Sequence, residues 1–358
     1  MGEKVVLIAG AGSTVADCIG LRESKRPPLD RGFFIPSVLR DSDLRPVREY
    51  MQEHYRADLA DQRMNSLERI MAVLYTDIFG GGASIPAYSA FRQLVKVFLK
   101  RLASTTNDVK MTQRSRLYRL LLWNLRSQSA IEDLTVITFN QDLQVEKALD
   151  VIASAKERRS LPMFRFPACY HIDFDKTTVP DPAGSIDTFP VVEDGEEGVA
   201  ILKLHGSMNW YSAHNSPNPT RRKLFDPQRS IRLTTRKPID PSMKLSGSRV
   251  GRAKFTFPIV VPPVVHKSQV LHEKLKPVWD LAELRLREAQ RVVIIGYSCP
   301  PTDWESANLI SRALNANPHR MEVSIIDPDP SVVLRFKELG NLSSLSYFTS
   351  IDRYLASE

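Results

Sequence analysis

From Lys4 to Ile8 the chain is continuously apolar once it reaches Val5. That pattern predicts a strand buried on both faces of a parallel sheet. A glycine-bearing turn, Gly10-Ala11-Gly12, follows at once. Leu21 to Pro36 then reads as loop, broken by Pro27, Pro28 and Pro36. Between Leu44 and Leu125 the period becomes helical. Leu67, Ile70, Met71 and Leu74 share one face, and Phe91, Leu94, Val95, Phe98, Leu99 and Leu102 hold another for three turns. Leu117, Leu121, Leu122 and Leu125 make a third. Strand character returns at Leu134–Phe139, followed by a helical stretch over Asp142–Ile152. Val199–Leu204 predicts a strand ending at His205-Gly206, and Phe255–Val261 is strand-like again. The remainder alternates cleanly: a long amphipathic helix through Leu271, Leu275, Val278, Trp279, Ala282 and Leu286, then strands at Val292–Ile295 and Val323–Ile326, with helices at Trp304–Leu314 and Pro330–Leu339.

This alternation predicts an α/β fold, a Rossmann-like doubly wound parallel sheet with an all-helical insertion. The Rossmann-like part is discontinuous, residues 1–40 and 129–358, and the insertion covers 41–128. Its broad apolar face at Phe91, Leu94, Phe98 and Leu102 either builds a homo-oligomer interface or closes within the helical subdomain.

Composition narrows the class. Of 358 residues, 42% are hydrophobic and 25% charged, enough for a sizeable core and against global disorder. No run of eighteen uncharged apolar residues is present, so no membrane helix is expected. The start reads as mature structure, and the expected location is cytoplasmic. Cys18, Cys169 and Cys299 never form a CxxC pair, so neither a disulfide framework nor a structural zinc is expected. The net charge of +8 is concentrated in one place. Pro219–Lys254 carries eleven basic residues against two acids, with Phe225 its one aromatic residue. Base stacking is poorly served by that composition, so nucleic acid is not expected as a direct partner. A mobile loop near a pocket mouth, or an assembly contact, is expected instead.

Ligands of a parallel sheet bind beyond the carboxyl ends of its strands. There this sequence places Gly10-Ala11-Gly12-Ser13-Thr14, Asn140-Gln141-Asp142, His205-Gly206-Ser207, Gly296-Tyr297-Ser298 and Asp327-Pro328-Asp329. The first turn lets backbone N–H groups approach a phosphate, although Val15 breaks the strict GxGxxG pattern and an unliganded turn fits equally well. His205 titrates in the range that acid–base chemistry needs, or is a structural histidine. Asn140 holds a water or ribose hydroxyl, or ends a strand. Asp142 belongs to the same pocket, or caps the next helix. Ser298 and Thr302 also suit turns or caps.

Taken together, the ordered set Gly10-Ala11-Gly12-Ser13-Thr14, Thr138-Phe139-Asn140-Gln141-Asp142, Lys203-Leu204-His205-Gly206-Ser207 and Gly296-Tyr297-Ser298 resembles the sirtuin-like superfamily. More narrowly it is similar to the zinc-free sirtuin-like NADases of bacterial anti-phage defence. The segment Arg26–Phe34, with Asp30, fits the flexible cofactor-binding loop after the first helix. The resemblance covers about residues 1–40 and 130–358. It implies NAD as substrate, with Gly10, Ala11, Gly12 and Thr14 at the pyrophosphate and Ser13 in the same cofactor-binding turn. It places Asn140 and Asp142 by the nicotinamide ribose and carboxamide, and makes His205 the general base. Gly296 and Ser298 would face the adenosine half, and Asp327 its ribose.

The sequence departs from the family pattern at Thr14, where serine is usual, and at Phe-Asn-Gln-Asp in place of Gln-Asn-Ile-Asp. It also lacks the paired CxxC motifs of deacylating sirtuins. The expected reaction is therefore hydrolysis of NAD to ADP-ribose and nicotinamide, in a triggered, NAD-depleting effector of abortive infection. Such an enzyme is expected to be gated by homo-oligomer assembly or by a separate partner such as a HerA-type ATPase or another sensor protein. The competing expectation is a non-catalytic NAD or ADP-ribose binding module signalling to a partner. The presence of both Asn140 and His205 favours the enzyme.

Overall fold

The structure is a computed structural model that describes residues 3–18, 21–22, 25–30, 32–61, 66–79, 84–107, 109–126, 133–154, 168–172, 198–214, 232–233, 255–260, 269–319, 321–340, 342 and 344–357. In chain order the strands are β1 (Val5–Ala9), β2 (Leu134–Thr138), β3 (Ala200–Lys203), β4 (Gly206–His214), β5 (Arg232–Leu233), β6 (Phe255–Val260), β7 (Arg291–Ile295), β8 (Glu322–Ile326) and β9 (Ser344–Phe348). The helices are α1 (Ala11–Ala16), α2 (Pro36–Leu39), α3 (Arg45–Tyr55), α4 (Leu67–Phe79), α5 (Ile85–Asn107), α6 (Arg116–Arg126), α7 (Gln144–Ser154), α8 (Gln269–Glu288), α9 (Trp304–Ala316), α10 (Ser331–Leu339) and α11 (Ile351–Ser357).

Among the described residues, six strands form one sheet in the order β3-β2-β1-β7-β8-β9, and every pairing in it is parallel. The doubly wound parallel sheet expected from the apolar runs is present. Every residue of β1, β2, β3 and β7 is buried, which is why these strands carry no polar alternation. The edge strand β9 is only partly covered. Helices flank the sheet in two packed groups. In one group α6 packs against α1, α7 and α11, and in the other α8 packs on α9 and β3, with α10 against α9.

Between β1 and β2 the chain detours through α2 to α6. Within this stretch α5 packs on α3 and α4. Phe91, Leu94, Phe98 and Leu102 are all buried inside the chain itself, so the face expected to be left over for an oligomer interface is not available there. The apolar stripe of α5 is consumed by its own neighbours. Helix α6 returns to the sheet layer, and the Asp17 carboxylate after α1 caps its start by accepting from Arg116 N at 2.6 Å and Leu117 N at 3.2 Å.

The strand-like run at Phe255 does not belong to the main sheet. It forms β6, which pairs antiparallel with β4, and β5 lies on the other side of β4. The reason lies at Gly206. This residue has φ +74°, and a Cβ there would stand 2.1 Å from the Ile259 carbonyl oxygen. Only glycine fits that approach, and with it the chain turns directly from β3 into the small sheet. His205 is thereby placed at the corner between the two sheets. Of the basic segment, Arg232 and Leu233 pair with Tyr211 and Trp210. The rest of residues 219–254 lies outside the described residues.

Candidate functional site

Chain order runs outward from β1 through β2 to β3, then resumes at β7 on the opposite flank of β1. The carboxyl ends of β1 and β7 therefore flank the switch point of the sheet, where open α/β sheets take ligands. Here two loops meet backbone to backbone. Gly10 N–H donates to the Ile295 carbonyl at 2.9 Å and Gly12 N–H to the Gly296 carbonyl at 3.0 Å. A Cβ on Gly12 would lie 2.7 Å from Gly296 Cα, and one on Gly296, at φ +57°, would lie 2.4 Å from Gly12 C. In this structure the glycines answer first to each other. Gly296→Ala combines that overlap with a left-handed backbone. The expected loss is about 3 kcal/mol or more of folding stability, read as a lower urea midpoint. A midpoint unchanged from the parent would show that the loops do not need this contact.

Next to the turn lies a buried polar cluster. Asn140 Nδ2 donates to Gly10 O at 2.9 Å and stands 3.2 Å from both Ser13 Oγ and Thr14 Oγ1. Thr14 Oγ1 donates to Asp142 Oδ2 at 2.7 Å, and Ser13 Oγ to Gly10 O at 2.7 Å. Asp142 also caps α7, its Oδ1 accepting from Gln144 N at 3.0 Å. The structure thus brings Gly10, Ser13, Thr14, Asn140 and Asp142 together. The amide nitrogen of Asn140 is fully employed, whereas no described residue donates to its Oδ1. That oxygen remains an acceptor at the carboxyl edge of β2.

His205 is 4% exposed. Its ring meets the edge of Phe139, with centroids 5.2 Å apart. Its Nε2 lies 3.5 Å from Oδ1 of Asp303, a residue to which the sequence reading gave no role. Phe139 stacks on Tyr297 at 4.0 Å, and Tyr297 Oη donates to Asp303 Oδ2 at 2.9 Å. Burial, followed by the Asp303 charge, pushes the Tyr297 phenol well above its usual range, so it stays a donor. Asp303 gives little signal in sequence, being a single acid in a proline-rich turn. The histidine it faces follows β3, far away in the chain.

A second set of residues missed in sequence lies beneath the cluster. Lys203, buried within β3, donates to the Asp142 carbonyl and pairs with Glu146 Oε1 at 3.0 Å. Tyr170 Oη donates to the same oxygen at 2.8 Å. Asn209 Nδ2 lies 3.4 Å from Tyr170 Oη, and Ser207 Oγ donates to Asn209 Oδ1 at 2.6 Å. Lysine inside an apolar strand carries no periodic signature, so only the fold reveals its partner.

The other expected positions are dispersed. Asp30 holds the start of α4, its Oδ1 accepting from Ser66 Oγ and Glu68 N at 2.8 Å each. Phe33 and Phe34 beside it are buried, so this part of the expected flexible loop is fastened to the insertion. Glu68 in turn receives a short hydrogen bond from Thr302 Oγ1, next to Asp303, which ties the first turn of α4 to the loop after β7. Ala11 is exposed at the start of α1. Ser298 is exposed, and its carbonyl accepts from Arg335 Nη1 at 2.6 Å. Asp327 ends β8, two strands from β1, with Oδ1 accepting from Asp329 N at 2.8 Å. Burial raises its carboxyl above the usual range.

Two of the three thiols are poor nucleophiles. Burial, with Asp17 and Asp142 nearby, pushes Cys18 up to about 11, and burial with Asp303 does the same to Cys299. Among the described residues no group of three or more His, Cys, Asp or Glu is placed to hold a metal ion.

No family model matches the chain, and no curated protein matches it either. Among solved structures the chain is similar to a complex of Sir2 with a p53 peptide and NAD+, at 13% identity over 99% of this chain and 92% of that one, with a TM-score of 0.41. It is also similar to Sir2 bound to an inhibitor, 2′-O-acetyl-ADP-ribose and a deacetylated p53 peptide, at 11% identity over 99% and 92% of the two chains, with a TM-score of 0.38. A third similar structure is Sir2Tm bound to a propionylated peptide, at 11% identity, the same coverage and a TM-score of 0.39.

Proposed function

We propose that this chain is an NAD glycohydrolase, converting NAD and water to ADP-ribose and nicotinamide. The observation that carries the reading is Asn140. Its amide nitrogen is tied to the Gly10–Thr14 turn while its Oδ1 receives nothing from the described residues. An acceptor fixed in that way, at the edge that also carries His205, suits a ribose hydroxyl or the attacking water.

Breaking the bond between nicotinamide and ribose develops oxocarbenium character, and the pyridinium is already a good leaving group. The protein's share of the work is then orientation, water exclusion and one proton transfer. Asn140 Oδ1 orients, and the His205 imidazole takes the proton of the attacking water. The burial of both residues supports a centre that must open to admit substrate, and hence an activity under a gate. The sequence resemblance supports the wider reading: an NAD-depleting effector of anti-phage defence, gated by homo-oligomer assembly or by a partner such as a HerA-type ATPase.

The test is incubation of the purified chain with NAD, with nicotinamide and ADP-ribose read by chromatography. Equimolar release by the parent and loss in Asn140→Ala are expected. Tight NAD binding with neither product formed would replace this reading with that of a binding module.

A further inference from the structure

Asp303 is a carboxylate with 1% of its surface exposed. A buried carboxylate is costly unless it is paired and hydrogen-bonded, and this one is held from several sides. Ser306 Oγ donates to Oδ1 at 2.7 Å and Tyr297 Oη to Oδ2 at 2.9 Å. Tyr297 is itself fixed, its ring stacked on Phe139 at 4.0 Å with 19° between planes. Phe139 also sets its edge against the His205 ring. The carboxylate and the imidazole are thus oriented by one shared aromatic pair, with His205 Nε2 3.5 Å from Asp303 Oδ1. Two charged groups on the neighbouring strand ends are engaged with other partners. Lys203 Nζ is turned to Glu146, and Asp142 is engaged by Thr14 and Gln144.

We propose that Asp303 is the positioning residue of His205. It holds the imidazole as the Nε2–H tautomer, fixes the ring plane, and stabilises the imidazolium that forms when the ring takes a proton. In a neutral imidazole one nitrogen donates and the other accepts, so Nδ1 becomes the basic atom. In the step itself, the water oxygen bonds to the ribose carbon as the bond to nicotinamide breaks, and that electron pair leaves with nicotinamide. The water proton passes to His205 Nδ1 and then to solvent. The kinetic consequence rests on the NAD-hydrolase reading, whereas the tautomer of His205 does not.

The experiment uses the full chain labelled with 15N-histidine, its His205 ring signals assigned by their loss in His205→Ala. The parent is expected to show His205 protonated at Nε2. In Asp303→Asn the ring signals should move toward those of a tautomer mixture, and kcat for nicotinamide release should fall about a hundredfold or more with KM little changed. If the parent releases no nicotinamide, the NAD-hydrolase reading fails and the ring signals still decide the role of Asp303. Ring signals and kcat both unchanged in Asp303→Asn would overturn the inference. If Asp303→Asn does not fold, Tyr297→Phe keeps the stack on Phe139 and removes one hydrogen bond to Asp303. It should leave the carboxylate a stronger acceptor and His205 protonated at Nε2, and ring signals of the Nδ1–H form or of a tautomer mixture would overturn the inference equally.

Discussion

Replacing His205 with alanine is expected to lower nicotinamide release about a hundredfold to ten-thousandfold, the usual worth of a general base, with the thermal melt close to the parent's. Both halves of that expectation come from the geometry. The imidazole is the titratable side chain facing the Asp303 carboxylate from the end of β3. Its removal does not strand that carboxylate, because Tyr297 and Ser306 continue to donate to it. The stack of Phe139 on Tyr297 also remains to shape the pocket. The measurement is a pair: product release under saturating NAD, and a melt on the same preparation. Full turnover in His205→Ala would remove this residue from the chemistry, whereas a collapsed melt would turn it into a structural residue.

The largest effect on folding is expected at Lys203→Met. The ammonium and the Glu146 carboxylate are both almost wholly buried. Among the described residues Glu146 Oε2 has no hydrogen-bond partner, and Oε1 carries the contacts to Lys203 and Tyr170. Taking away one member of a buried ion pair costs about 3–5 kcal/mol, because the other charge is left uncompensated. Against a usual total of about 5–15 kcal/mol, that leaves a marginal protein. Replacing both, as Lys203→Met with Glu146→Leu, should recover most of the loss, since an apolar pair of similar volume is often neutral. Urea titration of the two single variants and the double variant gives the coupling directly. Equal midpoints for Lys203→Met and the parent would show that the pair contributes nothing.

What could be read in the sequence follows from where burial is symmetric. β1, β2 and β7 lie inside the sheet with both faces covered, so each is mainly apolar, broken only by Thr135 and Thr138 in β2 and by Arg291 at the start of β7, and the strand end that carries Asn140 could be located from β2. β9 is half exposed and alternates serine with larger residues, too weak a pattern to stand out. The course of residues 255–260 was legible as extended, but its sheet was not. Membership depends on the Gly206 corner and on an antiparallel partner, and neither leaves a periodic trace. The site divides in the same way. Small and polar residues after buried strands are local signals, which drew attention to Gly10, Ser13, Thr14, Asn140 and Asp142. The approach of Asp303 to His205, and of Lys203 to Glu146, is created by strand order alone. Asp30 shows the converse: its neighbours suggested a ligand loop, and its carboxylate is taken up by the start of α4.

The central position of β1 also sets the order in which the molecule can assemble. Ala9 receives a hydrogen bond from Thr138, 129 residues on, and Lys4 receives one from Gln290 and donates another to it, 286 residues on. Pairings so distant close slowly, because the loop entropy is spent before any contact is gained. The helices α3, α4 and α5 find one another within a much shorter span. As the chain leaves the ribosome, the helical detour can therefore condense while the apolar strand ahead of it still has one or both edges bare, waiting for β2 and then β7. Over that interval the five residues of β1 are the segment most exposed to wrong pairing and to capture by chaperones.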